Sequence, residues 1–469
     1  MSKKINSKAS DFRDEKDVRL AGGFGNVAAK QSDIAALRRL ILACLLWENN
    51  AYADGETVAS QIAKLIPRCD PLSVASLAVE ARVEQKLRHI PIFMIIEMAK
   101  HKTHRTLIAD VIPQVCTRAD MLSDLVALYW KDGKRALPSA MKRGLAKAFL
   151  RFNEYSLAKY RGEGKAIKLR DVMFLTHPKP ENDIQVALFK ALAENTLATP
   201  DTWETALSSG ADKRETWTRL ITENKLGGLA MLRNIRNMKD ASVDRKVISE
   251  GINSLKTAWL LPLDYLKAVK YAPEFEREIE EVMFRSYASM AKLPGRTLVI
   301  LDISGSMGSN ISSSSEFTRL DAGVAMSIAA INMCEEFEFV VTAGNDGRSE
   351  GAHEHIKYPN RGFGLTKQVV DANQRIGSGG IFTRQCLEWC KKNIDGEFDR
   401  IMIFSDSQDC DRHNKKPNPY GKRNYIIDVG SHQHGINYQG VWTAEISGWS
   451  STFLSYIAAM EGLTNQIEE

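Results

Sequence analysis

Asp302, Ser304 and Ser306 alternate in the run Asp302-Ile303-Ser304-Gly305-Ser306-Met307, and a second carboxylate stands in Phe404-Ser405-Asp406-Ser407. Carboxylate and hydroxyl oxygens are hard ligands. Together they suit Mg2+, or Mn2+, which prefer octahedral oxygen coordination and leave positions to water or a partner. No comparable pattern supports catalysis: there is no G-x-x-x-x-G-K-[ST] loop, no H-E-x-x-H helix and no paired nucleophile and base. Gly22-Gly23-Phe24-Gly25 has no preceding strand and does not read as a nucleotide loop. A metal-dependent nuclease needs carboxylates for two metals about 4 Å apart, and one carboxylate pair with hydroxyl partners fits a single metal better. The chain reads as a non-enzyme.

The elements around these residues favour that placement. Thr297-Leu-Val-Ile-Leu301 is a continuous apolar run rich in branched residues, as expected of a buried parallel strand that delivers Asp302 at its carboxyl end. Ligands of open α/β sheets collect at those ends, and Gly305 permits a tight turn there. Runs at 337–343, 400–404 and 425–429 have strand length, with helices expected at 318–334, 366–376 and 383–393. Alternating strands and helices predict a doubly wound α/β domain over residues 293–469. Before it, from Gln31 to Met290, the apolar spacing is almost entirely helical. Helices are expected at 56–66, 72–85, 90–101, 107–115, 121–130, 141–158, 184–194, 213–223, 226–237, 242–255 and 274–291. Pro67, Pro71, Pro91, Pro113 and Asp132-Gly133 read as the breaks between them. Many short helices without a strict repeat period suggest a HEAT-like α-solenoid over residues 1–292.

Charge divides the two halves. Residues 1–293 carry a net +11 and residues 294–469 a net −6, and the forty residues 131–170 alone carry +9. That island contains Lys142, Arg143 and Lys147 on one amphipathic segment, then Lys159, Arg161 and Lys165; His177 and Lys179 follow in Leu175-Thr-His177-Pro178-Lys179-Pro180. Cations of this density are suited to phosphate contacts, and Tyr155, Tyr160 and His177 to stacking on unpaired bases. RNA binding is therefore the leading reading. A metal-dependent protein–protein adaptor with no RNA role is the alternative, but an adaptor has no need of such a basic island.

The run Asp302-x-Ser304-Gly-Ser306 after a buried strand resembles the metal-ion-dependent adhesion site of von Willebrand factor A domains. By that resemblance Ser304 and Ser306 bind metal directly, while Asp302 and Asp406 act directly or through water. Thr383, in Gly379-Gly380-Ile-Phe-Thr383-Arg384, is the fifth member; the family often has Gly-Gly-Thr-Asp there. The open coordination position of such sites implies an acidic protein ligand. The helical half resembles the TROVE domain of Ro ribonucleoproteins. The resemblance rests on Gly133-x-Arg135-Ala-Leu-Pro138, Lys159-Tyr160, Leu169-Arg-Asp-Val-x-x-Leu-x-His177-Pro-Lys-Pro, and the Gly228 to Ile235 segment. Ala21-Gly-Gly-Phe24 and Leu37-Arg-Arg-Leu40 fit the same module, whereas Asn49-Asn-Ala-Tyr52-Ala stands where the family usually has Gly-Thr-Tyr-Tyr. This resemblance implies a ring of helical repeats closed by the A domain. It also implies binding of small noncoding Y-like RNA and of single-stranded ends of misfolded or decaying structured RNA, with an exoribonuclease tethered through the RNA. Lys159 and His177 would fall in RNA-contacting segments, with Arg161, Lys165 and Lys179 as neighbours; Lys142, Arg143 and Lys147 would lie on an outer basic face.

Composition sets the remaining bounds. The chain has 469 residues, 44% of them hydrophobic, enough for two or three cores. It has no apolar run near the roughly 18 residues of a membrane span, and its charged start lacks a signal peptide's apolar stretch. A soluble, cytoplasmic protein is expected. Seven cysteines without framework spacing fit reduced thiols. Cys386 and Cys390, one helical turn apart, read as packing residues, and His353-x-His355 and His432-x-His434 as exposed loop histidines rather than zinc ligands.

Overall fold

The computed structural model describes residues 33–43 and 55–463, apart from 84–86, 163, 209, 258–259, 289, 291, 312–314, 407–408, 412–416, 430–440, 448–452, 455–456, 459–460 and 462. The Gly22–Gly25 run, Asn49–Tyr52, Cys44 and His432-x-His434 lie outside the described residues. Two compact units emerge among the described residues: one holds 33–43 and 55–225, the other 226–463.

The first unit is helical. Helix Ser139–Phe149 shows the logic: Ala140, Met141, Gly144, Leu145, Ala148 and Phe149 are buried, leaving Lys142, Arg143 and Lys147 on the exposed face. Its core is close-packed against helix Ile108–Val115, where a Cβ on Gly144 would lie 2.8 Å from Ile112 Cδ1 and 3.1 Å from the Ala109 Cα. The single helix expected over 141–158 is two. Asn153 ends the interruption by accepting the Ser156 amide at 2.9 Å and starting a new helix, Glu154–Lys159. Two of the expected breaks are not breaks. Pro91 sits in the first turn of His89–Lys100, where its missing N–H costs nothing, and Pro113 lies inside Ile108–Val115. Helices Leu169–Thr176 and Trp203–Ser208 lacked a periodic signal of useful length. The first is started by Asp171 accepting the Lys168 amide at 2.9 Å, and Trp203 stacks on Trp217 at 5.8 Å.

In the second unit, helices Gly228–Asp240, Arg245–Asn253, Pro262–Tyr271 and Glu276–Ala288 precede the sheet. Its strands are β1 (Leu293–Asp302), β2 (Cys334–Asn345), β3 (Glu350–His355), β4 (Arg400–Ser405), β5 (Arg423–Asp428) and β6 (Ala444–Ser447), in the order β3-β2-β1-β4-β5-β6. All neighbours are parallel except the β2–β3 hairpin. Residues 298–301 of β1 are buried, so both faces must be covered. Leu298 and Ile300 join a core with Cys386, Leu387 and Cys390 of helix Thr383–Asn393. Leu301 meets Gly323 of helix Arg319–Met333. Cys386 and Cys390 are thus packing residues. His353 and His355 are not loop residues: they lie in β3, half-buried, with His353 Nδ1 2.8 Å from Thr342 Oγ1 and His355 Nε2 2.7 Å from Glu338. The β2 pairing partner hides them from a loop environment.

Helices Pro262–Tyr271 and Glu276–Ala288 hold two loops of the α/β part. Phe317 lies under the Lys270 ammonium at 4.4 Å and edge-on to Tyr271 at 6.0 Å. The Phe363 amide donates to Glu280 Oε1 at 2.9 Å. No helix among the described residues is long and apolar enough to cross a membrane.

Candidate metal centre and basic surface

The strand order reverses beside β1, whose two neighbours β2 and β4 lead to opposite edges. A crevice at the carboxyl ends of strands forms at such a point. Leu301 pairs with Phe404, so Asp302 and the Ser405-Asp406 dipeptide leave adjacent strands side by side. Ser304 N donates to Asp302 Oδ1 at 2.8 Å and Ser405 Oγ to Asp302 Oδ2 at 2.6 Å. The Ser304 and Ser306 hydroxyls lie 3.2 Å apart, and Ser306 Oγ donates to Asp406 Oδ1 at 3.1 Å. Four of the five expected oxygen donors are therefore linked in one hydrogen-bonded chain. Asp302, Ser304 and Asp406 are buried, whereas Ser306 is half-buried and Gly305 exposed, so the centre faces outward on that side.

Thr383 begins helix Thr383–Asn393, and its amide donates to Asp409 Oδ1 at 3.3 Å. The Gly379 carbonyl, earlier in the same loop, accepts the Gly305 amide at 3.2 Å. That loop tolerates no side chain at Gly379, where a Cβ would lie 1.9 Å from the Gly344 carbonyl oxygen. The Thr383 hydroxyl is buried and has no hydrogen-bond partner. An orphaned buried hydroxyl is costly, and a ligand offsets that cost.

Burial, and next the nearby Asp406 carboxylate, push the Asp302 carboxyl up to about 7. A cation between the two carboxylates would relieve both effects. The donor set thus fits a hard divalent ion, with Asp302, Asp406 and the hydroxyls of Ser304, Ser306 and Thr383 as the groups that would hold it. Among the described residues no group of three or more His, Cys, Asp or Glu side chains could hold a metal.

Sequence reading missed Arg319, Ser405 and Asp409. Arg319 Nη1 lies 2.5 Å from Asp406 Oδ2, and both side chains are buried. A signal for it existed: the Thr318–Asp321 capping box marks the helix start, and a cation immediately after the cap is unfavourable to the helix dipole unless something compensates it.

In the helical unit, Lys142, Arg143, His177 and Lys179 are exposed. Lys147, also exposed, pairs with Asp110 at 2.7 Å, and Lys165 with Asp124 at 3.3 Å. Lys159 is less open, 4.0 Å from Glu204 and near the rings of Tyr155 and Tyr160 at 5.9 and 5.7 Å. Arg161 is half-buried. His177 takes a left-handed conformation, φ 47°, and its amide caps helix Leu169–Thr176 by donating to the Met173 carbonyl at 2.8 Å. Its backbone role leaves the exposed ring free of the capping interaction.

Residues 194–282 match the family model for the TROVE domain. Over that stretch the chain is similar to the TROVE domain, which agrees with the resemblance read from the sequence. The TROVE match contains the Gly228 to Ile235 motif and helix Pro262–Tyr271, which grips Phe317, while the basic residues at 142–179 lie outside it. The fold is similar to that of the Ro (RSR) protein of Deinococcus radiodurans, whose solved structure aligns with a TM-score of 0.55 at 16% identity, covering 92% of this chain and 100% of that one. No curated protein matches this chain significantly.

Proposed function

We propose that this protein is a non-enzymatic RNA-binding protein of the Ro type, which takes RNA on its helical half and holds a divalent ion in a von Willebrand A-like domain. The observation that carries the RNA reading is the exposed face of helix Ser139–Phe149, with Lys142, Arg143 and Lys147 opposite a fully apolar buried face. Such a row meets phosphates without disturbing the core. The TROVE match supports the same reading.

In this proposal the helical repeats form a ring closed by the A-like domain. Single-stranded ends of misfolded or decaying RNA enter past Lys159 and His177, with Arg161, Lys165 and Lys179 beside them, and a Y-like RNA covers the outer basic face. Through that RNA an exoribonuclease is tethered, and the protein acts in RNA quality control in the cytoplasm. Mg2+, or Mn2+ in its place, is held by Asp302, Ser304, Ser306, Thr383 and Asp406. When bound there, it supplies an open coordination position for an acidic protein ligand. The protein's own residues do the rest: Ser405 and the Ser304 amide orient Asp302, and Asp409 positions the start of the Thr383 helix.

The test is to purify the protein from its native cell and sequence the nucleic acid that accompanies it. Small structured RNA with unpaired ends is the expected finding. Protein free of RNA, yet bound to a protein complex in a metal-dependent way, would favour an adaptor instead.

A further inference from the structure

Arg319 is the first residue of helix Arg319–Met333, directly after the Thr318 cap. That position is electrostatically wrong for a cation, because the helix N-terminus carries partial positive charge. Arg319 is also only 5% exposed, so burial adds to the cost of its charge. One contact that compensates it is Asp406 Oδ2 at 2.5 Å, with the Ser306 carbonyl at 3.5 Å from the same nitrogen. Asp406 uses its other oxygen, Oδ1, to accept from Ser306. One carboxylate of the two-carboxylate centre is thus already neutralised by a group of this chain.

We propose that the Arg319 guanidinium is the resident counter-ion of the Asp302–Asp406 centre, which a divalent cation must bind against. The inference rests on the metal reading of that centre and adds its regulation. With Arg319 in place, an entering divalent ion meets a fixed positive charge across Asp406 and must share that carboxylate with it. Like charges within a few ångströms in a buried site repel strongly. Metal affinity is thereby held down, and whatever draws Arg319 away from Asp406 raises it. The reverse also holds, since two ligands coupled through one carboxylate affect each other reciprocally. The neighbouring Phe317 is gripped by Lys270 and Tyr271 of helix Pro262–Tyr271, so displacement of that helix would reach Arg319 within two residues.

The experiment is a Mn2+ titration of the full chain, read as the paramagnetic resonance signal of free Mn2+, for wild type, Arg319→Met, Arg319→Gln and Arg319→Lys. The Met and Gln variants should bind Mn2+ about tenfold or more tightly than wild type, and the Lys variant close to wild type. Arg319→Gln keeps a donor for Asp406, so it carries the test if the Met variant does not fold. Equal or weaker affinity in Arg319→Gln overturns the counter-ion role while leaving the metal centre in place. No Mn2+ bound by wild type or by any variant removes the metal reading itself, and the counter-ion role with it.

Discussion

Ser405, the last residue of β4, donates its hydroxyl to Asp302 Oδ2 at 2.6 Å, joining the carboxyl ends of the two strands at which the sheet order reverses. The same carboxylate accepts the Ser304 amide on its other oxygen. Asp302 is therefore held by both elements of the crevice, and its protonation is tied to their stability.

The pH dependence of stability follows. The folded-state value of about 7 lies well above the ordinary carboxylate value, so the folded protein binds more protons than the unfolded chain between about pH 4 and 7. With metal chelated, stability should fall as pH rises through that window, by at most about 4 kcal/mol. Denaturant titrations at pH 5 and 7.5 measure it, and Asp302→Asn should flatten the slope. A slope unchanged in that variant would assign the titration to another group.

Asp302→Ala should abolish Mg2+ or Mn2+ binding while leaving RNA affinity nearly intact, because the basic residues at 142–179 belong to the other compact unit. Calorimetry with Mn2+ and a parallel RNA titration separate the two effects. Loss of RNA binding in a folded variant would contradict this division of labour.

Binding to structured RNA with a single-stranded tail should weaken steeply with salt. Five or six phosphate contacts give a log–log slope of about −4, at roughly −0.7 per contact. Affinity measured across a salt series provides the number, and a flat response would remove the electrostatic role of the basic island.

Lys159→Ala combined with His177→Ala should cost about 1–4 kcal/mol for tailed RNA and less for a blunt hairpin with the same stem, taking stacking alone as about 1–3. Charge reversal at Lys142, Arg143 and Lys147 should instead depress binding of duplex-rich RNA. Competition titrations of tailed against blunt RNA distinguish the two variants. Equal losses on both RNAs would mean one undifferentiated surface.

Gly144→Ala tests the packing that presents the basic helix. Alanine gains about 1 kcal/mol in helix propensity, but its Cβ would press on the Ala109 backbone at 3.1 Å, which no rotamer change relieves. The clash should win, leaving a net loss of about 1 kcal/mol by thermal or chemical denaturation. A stabilised variant would show that the helices can part without cost.

Sequence alone determined the features that depend on local pattern. The branched run of β1 had to be a strand buried on both faces, and a carboxylate with two hydroxyls at its end had to lie at the sheet's binding edge. The apolar spacing that hides Met141, Leu145 and Ala148 also exposed Lys142, Arg143 and Lys147, because a helix turns 3.6 residues at a time. Tertiary structure alone decided what depends on residues far apart in the chain. Nothing near Arg319 in sequence announces Asp406, 87 residues away, as its partner. Strands β3 and β6 have no apolar run, because β3 is only partly covered and β6 has four residues, so pairing with a neighbour rather than intrinsic pattern makes them strands. The helices at 228–288 read like those before them, yet they group with the sheet, since a helix's apolar stripe says that it packs but not against what.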